Sequence, residues 1–588
     1  MKLSFDHFEE VWFIDFEFRS SQEKNQEIIS FCAKEYHSGK DIKLWLDQLE
    51  KPPFRLDDKV VFVSYMSSAE MRSFISLGWP LPKNNLDFYV VFKNITNGKI
   101  GMGRKGLLEA LQFFGIPSIA TAHKDAMRDR ILEGPPFTED ERKAILEYCF
   151  SDVIALEKLL PKLEPYIFQS ENHFGRYWIM GEYFKAAANV ETVGIPIDVE
   201  NYKLFQKYKH VIVDSLLIEV DKNYQIYEEG VFKINKFEDY LKKQNIRWDR
   251  TETGRLKTDD QTFRDFSKIY PQLNALREFR SFQSQVRQYG VNIGEDGRNR
   301  TPLFPFSTLT SRNAPKAKES IISAAVWQRG YIKPKEGYAL LYLDWSSQEY
   351  GVAAALSKDQ KMIEAYRSGD PYISFGRDAG LIPRDATKQS HPKDREIFKQ
   401  CVLAIGYGMG PQSLSSRINK PQSYAKDLLD KYARTYSRFW AWTQAIMDRA
   451  RCHGDLWTTY GWLLKDGQHH KINSLRNWIM QSNGADMMRL ATIFLVQEGI
   501  EVCMLIHDGI MVQSKIEDAE AVSKKTAELM AEASKLVLNG FELRTDCKII
   551  KYPDRYMDER GKEFWEKLNL KIDEQRELDE LKQLQTAS

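Results

Sequence analysis

Val502-Cys503-Met504-Leu505-Ile506-His507-Asp508-Gly509-Ile510-Met511-Val512 is two apolar runs broken by three residues that favour a turn. That pattern predicts a β-hairpin with Asp508 at its tip. A second aspartate is set in a similar way, because the apolar run Tyr338-Ala339-Leu340-Leu341-Tyr342-Leu343 predicts a buried strand that ends at Asp344. Carboxylates projecting from rigid strand ends can fix two divalent cations about 4 Å apart. For either aspartate alone, capping a strand or turn is the better reading. The pair acquires meaning from what lies between.

Between them, Arg395-Glu396-Ile397-Phe398-Lys399-Gln400-Cys401-Val402-Leu403-Ala404-Ile405-Gly406-Tyr407-Gly408 reads as a helix. At about 100° per residue, Arg395, Lys399, Leu403 and Tyr407 advance by about 40° at each step and share one broad face. Two cations one turn apart can hold a triphosphate, and an apolar residue followed by a tyrosine can meet a base. Seen alone, this is an ordinary amphipathic helix with solvated cations. Flanked by two strand-end aspartates, it points to metal-assisted phosphoryl transfer, in which one cation activates a hydroxyl and the other steadies triphosphate charge.

With 588 residues the chain exceeds what one hydrophobic core serves, so several domains are expected. A hydrophobic content of 43% with 12% aromatic residues marks a globular protein. A net charge of +1 does not announce a nucleic-acid binder, but such binding needs a local basic groove rather than a basic whole. Cys32, Cys149, Cys401, Cys452, Cys503 and Cys547 are scattered, which suits neither a zinc site nor a disulfide framework and fits reduced cytoplasmic thiols. The N-terminal stretch lacks the apolar core of a secretory leader, and no apolar run is long enough to predict a membrane span.

Residues 11–14 predict a short strand ending in Asp15, and residues 60–65 a second. Residues 138–160 predict a helix opened by the capping box Thr138-Glu139-Asp140-Glu141. A helical connection follows, and Gly194-Ile195-Pro196-Ile197-Asp198 opens the next unit. Residues 198–290 are charged and helical in pattern, 294–300 form a basic turn, and 352–498 are rich in helix. Beyond Lys571 the tail is expected as a solvated helix or as disordered chain.

The order Asp, then Arg…Lys…Tyr-Gly, then His-Asp resembles motifs A, B and C of family A DNA polymerases, the bacterial DNA polymerase I or Klenow-fragment type. Asp344, Ser346 and Glu349 match motif A; Arg395, Lys399, Tyr407 and Gly408 match the fingers helix; His507-Asp508 matches motif C. Thr310-Ser311-Arg312 is similar to a Thr-Gly-Arg near the primer terminus, and Asn477 and Gln481 to an Asn-x3-Gln helix on the template–primer minor groove. The resemblance implies that Asp344 and Asp508 hold two Mg2+ ions, with Mn2+ as an alternative. It implies that Arg395 and Lys399 hold the β- and γ-phosphates, with Lys399 also protonating the leaving pyrophosphate. Leu403 and Tyr407 would pack by the nascent pair, Glu349 would crowd the sugar 2′ position, and His507 would support the primer end. Four positions depart from the family: Gly509 for a glutamate, Leu403 for an aromatic, Gly351 for an arginine and Trp345 for a tyrosine. They mark a divergent branch, phage-like or accessory, in which preference for a modified base such as 2-aminoadenine stays open.

Asp15-Phe16-Glu17 puts two acids on one strand face, and Tyr148 precedes Asp152 by one helical turn. Each pair alone is a common surface pattern. Together, ahead of a polymerase, they resemble the DEDD 3′→5′ exonucleases. That implies a ribonuclease H-like domain in which four acids hold two further divalent ions and the tyrosine orients the attacking water. Asp15, Glu17 and Asp152 supply three acids, and Glu70 falls where the family has the fourth, an aspartate. Asp87 is expected to start a helix rather than bind metal.

The resulting expectation is an α/β exonuclease domain over 1–170, a linker and thumb over 171–300, and palm and fingers over 301–588, an α+β right hand. Primer–template DNA and deoxynucleoside triphosphates are the expected partners, with an unidentified processivity factor. A monomer in the cytoplasm of a bacterial or phage-infected cell, with no membrane contact, is expected. Two other readings stay open: a polymerase with a vestigial exonuclease domain, and a DNA-binding repair scaffold with decayed sites. Intact Asp344, Asp508, Arg395 and Lys399 argue against decay, and Glu349 argues against a single-subunit RNA polymerase.

Overall fold

The computed structural model describes residues 4–19, 26–117, 121–288, 290–316, 319–406 and 408–587. By packing, the chain divides into two compact units. One comprises Met1–Gly194, Pro302–Pro315 and Gly337–Ile550; the other comprises Ile195–Thr301, Lys316–Glu336 and Lys551–Ser588.

The first unit contains two main sheets. Strands β1 (Glu10–Arg19), β2 (Glu27–Glu35), β3 (Asp41–Trp45), β4 (Val60–Ser64) and β5 (Asn84–Asp87) form a five-stranded sheet in the order β3-β2-β1-β4-β5. β1 is antiparallel to β2 and parallel to β4. Val11, Trp12, Phe13 and Ile14 are all buried, as expected of a central strand covered on both faces. β1 does not end at Asp15. Its pairing with β2 continues to Arg19 opposite Glu27, which keeps Asp15 and Glu17 inside the sheet on one face.

The helix Glu139–Ile167 begins at the capping box: Glu141 N–H donates to Thr138 Oγ1 at 3.2 Å, and Thr138 N–H donates to the Glu141 carboxylate at 2.7 Å. It runs past Leu160 through Pro161 and Pro165, because Leu163 and Ile167 extend the buried stripe of Leu156, Leu159 and Leu160. Burial of that stripe outweighs the amide that Pro161 lacks. The next helix, Glu171–Val193, packs on β5 so closely that the Gly181 carbonyl accepts a 3.0 Å hydrogen bond from Asn85 Nδ2. A boundary at 170 is therefore not where the packing divides. One continuous core runs from Phe13 and Val153 through Tyr183 and Phe306 to Leu343 and Met487.

The second sheet is built from β6 (Tyr338–Trp345), β7 (Glu501–Ile506), β8 (Gly509–Lys515) and β9 (Thr545–Lys551), in the order β7-β8-β6-β9. β7 and β8 form the expected hairpin, with Ile506 opposite Gly509, so the turn is His507-Asp508 and His507 takes the left-handed φ of +50°. β6 extends two residues beyond Leu343, since Asp344 still pairs with Gly509.

In the other unit, helices Val199–Asp221, Ile234–Lys243, Asp260–Ile269 and Asn274–Gln288 account for the charged helical stretch. The C-terminal tail is helix Glu559–Ala587. Trp565, Leu568 and Ile572 anchor it by burial, whereas Leu578, Leu581 and Leu584 are exposed.

Candidate active sites

The first site is built where β6 meets the hairpin. Trp345 N–H donates to the Asp508 carbonyl at 3.2 Å, which ties the hairpin turn to the end of β6 and sets the two aspartates side by side. Burial, then the charges of Asp508 and Asp546, push the Asp344 carboxyl up to about 6. Asp508 is also pushed up, chiefly by burial, with its own backbone amide, His507 and Arg312 opposing. A carboxylate whose ionisation is disfavoured by a neighbouring carboxylate offers oxygen donors of the kind a hard divalent cation takes.

A cavity of about 530 Å³ opens beside them. Asp344, Asp508, His507 and Arg312 border one part of it, and Arg395, Lys399 and Leu403 of helix Pro392–Gly406 border another. Arg395 Nε donates to Asp370 Oδ2 at 2.5 Å, and its guanidinium lies 5.3 Å from the Tyr372 ring centroid. Lys399 makes no ion pair among the described residues and can carry its charge into the cavity. Tyr407 lies outside the described residues. Glu349, in the first turn of helix Gln348–Ser357, also lines the cavity and accepts a 3.5 Å hydrogen bond from Gln481 Nε2. Asn477 sits one turn before Gln481 on helix Ile472–Gln497, its Oδ1 buried and without a hydrogen-bond partner.

Three of the four family departures sit in tight packing, and nothing in the structure explains Leu403. A Cβ at Gly509 would lie 2.4 Å from the Tyr342 hydroxyl, and one at Gly351 would lie 2.4 Å from Leu543 Cδ2. Trp345 is buried and donates its indole N–H to the Met530 carbonyl at 3.3 Å.

The second site lies on the five-stranded sheet. Asp15 and Glu17 of β1 face Tyr148 and Asp152 of helix Glu139–Ile167. Burial and the charge of Asp152 push Asp15 up to about 8. Glu17 is pushed well up by burial and by the charges of Asp15 and Asp152. Tyr148 is raised by burial, then by Glu17, Asp152 and Asp15, so the phenol senses all three acids. Glu70, in helix Ser68–Ser76, is raised by burial and by Asp15, and its buried Oε2 has no hydrogen-bond partner. Among the described residues, the ligand atoms of Asp15, Glu17 and Cys149 lie within 4.8 Å of one another, whereas those of Glu70 and Asp152 are not part of that group. Asp87 is otherwise engaged: its Oδ1 accepts Val90 N–H at 2.7 Å, capping helix Phe88–Thr96, and its Oδ2 accepts Ser67 N–H and Oγ–H at 2.6 and 2.9 Å.

Two charged residues at these sites were not singled out from sequence. Lys124 pairs with Asp152, and its ammonium lies 5.7 Å from the Tyr148 ring centroid. Asp546, on β9, accepts a 2.6 Å hydrogen bond from Ser346 Oγ. Neither lies in a recognisable pattern, and both reach their site only through tertiary packing.

The family model for DNA polymerase family A matches residues 231–551. Among curated proteins, the chain is 22% identical over 438 residues to the DNA polymerase I of Aquifex aeolicus, covering 69% of this chain and 75% of that protein. It is 26% identical over 304 residues to the thermostable DNA polymerase I of Thermus aquaticus, covering 47% and 36%. It is 25% identical over 362 residues to the DNA polymerase of Mycobacterium phage L5, covering 58% of each. The matched region thus spans from about a third to three quarters of these relatives' own lengths. Among solved structures, the fold matches the POL domain of Pol1 from M. smegmatis in complex with DNA primer-template and dNTP. The TM-score is 0.67 at 15% identity, with 91% of this chain and 94% of that chain covered.

Proposed function

This chain belongs to DNA polymerase family A, and we propose from that membership that it extends a primer 3′ end on a DNA template and edits the same end by 3′→5′ hydrolysis. The observation that carries the first activity is the juxtaposition of Asp344 and Asp508 across one cavity from Arg395 and Lys399. Asp344 and Asp508 would hold two Mg2+ ions, or Mn2+, which when bound lower the pKa of the primer 3′-hydroxyl and neutralise triphosphate charge. Lys399 and Arg395 bind the β- and γ-phosphates. The 3′-oxygen bonds to the α-phosphorus as the α–β bridging bond breaks, and Lys399 delivers a proton to the departing pyrophosphate. Glu349, steadied by Gln481, occupies the space a ribose 2′-hydroxyl would need. His507 and Arg312 lie where the primer end would sit, Leu403 meets the nascent pair, and Asn477 contacts the duplex.

The editing activity rests on the second cluster. Asp15, Glu17, Glu70 and Asp152 would hold two ions, and Tyr148 orients the attacking water. The fold division proposed for these activities is exonuclease, thumb, then palm and fingers, acting as a monomer in the cytoplasm. Among the described residues, no helix is long and apolar enough to cross a membrane.

Primer extension and 3′-end degradation on one preparation test both activities. Asp344→Ala or Asp508→Ala is expected to lower extension at least a thousandfold while primer–template affinity changes by less than about threefold, since metal ligands add little to duplex contact. Extension retained at more than a few per cent would remove the metal assignment.

A further inference from the structure

A second large cavity, of about 730 Å³, lies within the first unit. The described residues that line it include none of those lining the Asp344 cavity. Tyr166, on its rim, stands on the last turn of helix Glu139–Ile167, and at about 1.5 Å per residue that turn is about 27 Å along the axis from Tyr148. Its walls are tied together by buried amides. Asn94 Nδ2 donates to the Gly461 carbonyl at 3.1 Å and Asn94 Oδ1 accepts Leu463 N–H at 2.7 Å, which fixes helix Phe88–Thr96 to the hairpin of Leu456–Trp457 and Leu463–Leu464. Asn97 Nδ2 donates to the Leu463 carbonyl at 2.7 Å. Arg176 lies across Gly461, where a Cβ would come within 2.4 Å of the arginine Cδ.

The lining has one sign of charge. Lys99, His173, Arg176 and Lys465 border the cavity, and no aspartate or glutamate does among the described residues. Lys465 is paired with Asp455 at 3.7 Å, whereas Lys99 and Arg176 make no ion pair among the described residues. Burial, then the charge of Arg176, holds the His173 imidazole below its usual value, so these basic side chains sense one another. Cations gathered without a counter-charge raise the local positive potential and draw an anion. The same walls carry exposed rings: Phe113, Tyr166 and Trp457 are 39%, 41% and 48% exposed. Lys99 stands 5.1 Å from the Phe113 ring centroid, and Arg449 stands 4.7 Å from that of Trp457, so cation and ring are already side by side. A flat ring face beside a phosphate-binding cation is the pairing that holds an unpaired nucleotide. Bases inside a duplex have both faces covered by their neighbours and could not use such rings.

We propose that this cavity is a nucleotide-binding site separate from both groups of carboxyls. It takes an unpaired base against Phe113, Tyr166 or Trp457 and the adjoining phosphate on Lys99 and Arg176, whether the nucleotide is free or part of a single strand. The site needs neither metal nor catalysis, so it stands or falls apart from the polymerase reading.

The test is photocrosslinking of the full-length chain, in chelator, to an oligothymidylate of about eight nucleotides that carries one 5-iodouracil, with the adduct located by peptide mass spectrometry. Adducts are expected on the peptides of Phe113, Tyr166 or Trp457. Lys99→Glu and Arg176→Gln are expected to lower that labelling about tenfold and about fivefold, and Lys99→Arg to keep it within about twofold of wild type. Raising salt from about 50 to about 200 mM should lower it about five- to tenfold, as for two held phosphates. Excess thymidine monophosphate that removes the labelling assigns the site to free nucleotides, and labelling that survives it assigns the site to a strand. Melting curves of each variant verify folding, and primer extension with Mg2+ is expected within about twofold of wild type. Adducts confined to other peptides, or labelling that Lys99→Glu and Arg176→Gln both leave within about twofold, would overturn the proposal and leave the polymerase reading untouched.

Discussion

Glu349 and Glu70 are single carboxylates whose surroundings assign them opposite work. Glu349 lines the cavity beside Asp344 and accepts a 3.5 Å hydrogen bond from Gln481, and its proposed role is to exclude a ribose hydroxyl. Glu349→Ala is expected to relax deoxyribose over ribose selection by about 10- to 100-fold, mostly through gain of ribonucleotide insertion. An unchanged ratio of insertion efficiencies would take Glu349 out of that role. Glu70 is buried with one oxygen unpartnered, which is costly unless a proton or cation sits on it. Glu70→Ala is expected to depress 3′-end degradation at least a hundredfold while extension stays within about twofold. Glu70→Asp should retain degradation if the helix Ser68–Ser76 presents the acid as closely as relatives do, and should lose it if the site has adapted to the longer arm. The sequence singles out Asp15, Glu17, Tyr148, Asp152, Asp344 and Asp508 as candidates because each sits in a short pattern with a fixed strand or helix period. It does not single out Lys124, Tyr342 and Asp546, because nothing local sets them apart from solvated or core residues of the same type.

Elements were legible where their own residues decide them and illegible where a neighbour does. The hairpin at 507–508 and the capping box at Thr138 are local, and both form as their sequences dictate. The extent of β1 depends on β2, and the extent of helix Glu139–Ile167 depends on the core that receives Leu163 and Ile167. The same dependence explains why the packing boundary falls at Gly194 and not at 170: helix Glu171–Val193 is a piece of the first unit's core. Its fit turns on Gly181, where a Cβ would lie 2.0 Å from the Asn85 carbonyl oxygen, a backbone atom that cannot swing aside. Gly181→Ala should therefore destabilise the first unit by about 1–3 kcal/mol despite alanine's better helix propensity, as read from the urea midpoint. A midpoint equal to or above wild type would mean that β5 yields easily to this helix.

Across the whole chain 84 basic residues nearly balance 83 acidic ones, yet the acids are not evenly placed. Two groups of carboxyls are packed together in the first unit and held protonated more tightly than free carboxyls: Asp15 up to about 8 and Asp344 up to about 6. Burial is the first cause at both and neighbouring carboxylates the next. In the unfolded chain both would titrate near 4. Between about pH 4 and pH 8 these two groups thus bind more protons in the folded chain than in the unfolded one, and their contribution to stability falls as pH rises through that window. Carboxyls held low act in the opposite sense outside it. Glu141, held at about 2 chiefly by its hydrogen bond from Arg130, contributes stability above its unfolded value that is lost only as pH drops toward 2. In chelator, the melting temperature is therefore expected to decline from pH 5 to pH 8. Asp15→Asn should flatten that decline, because it removes one raised carboxyl and takes its charge away from Glu17 and Glu70, which it also holds up. Millimolar Mg2+ should also flatten it, since a cation then offsets the charge that a proton offset at lower pH. The measurement is a set of melting curves at several pH values, with and without Mg2+, for wild type and Asp15→Asn. A chelated wild type that grows more stable from pH 5 to pH 8 would show that these carboxyls are not packed against one another as described, and both proposed metal sites would lose their electrostatic basis.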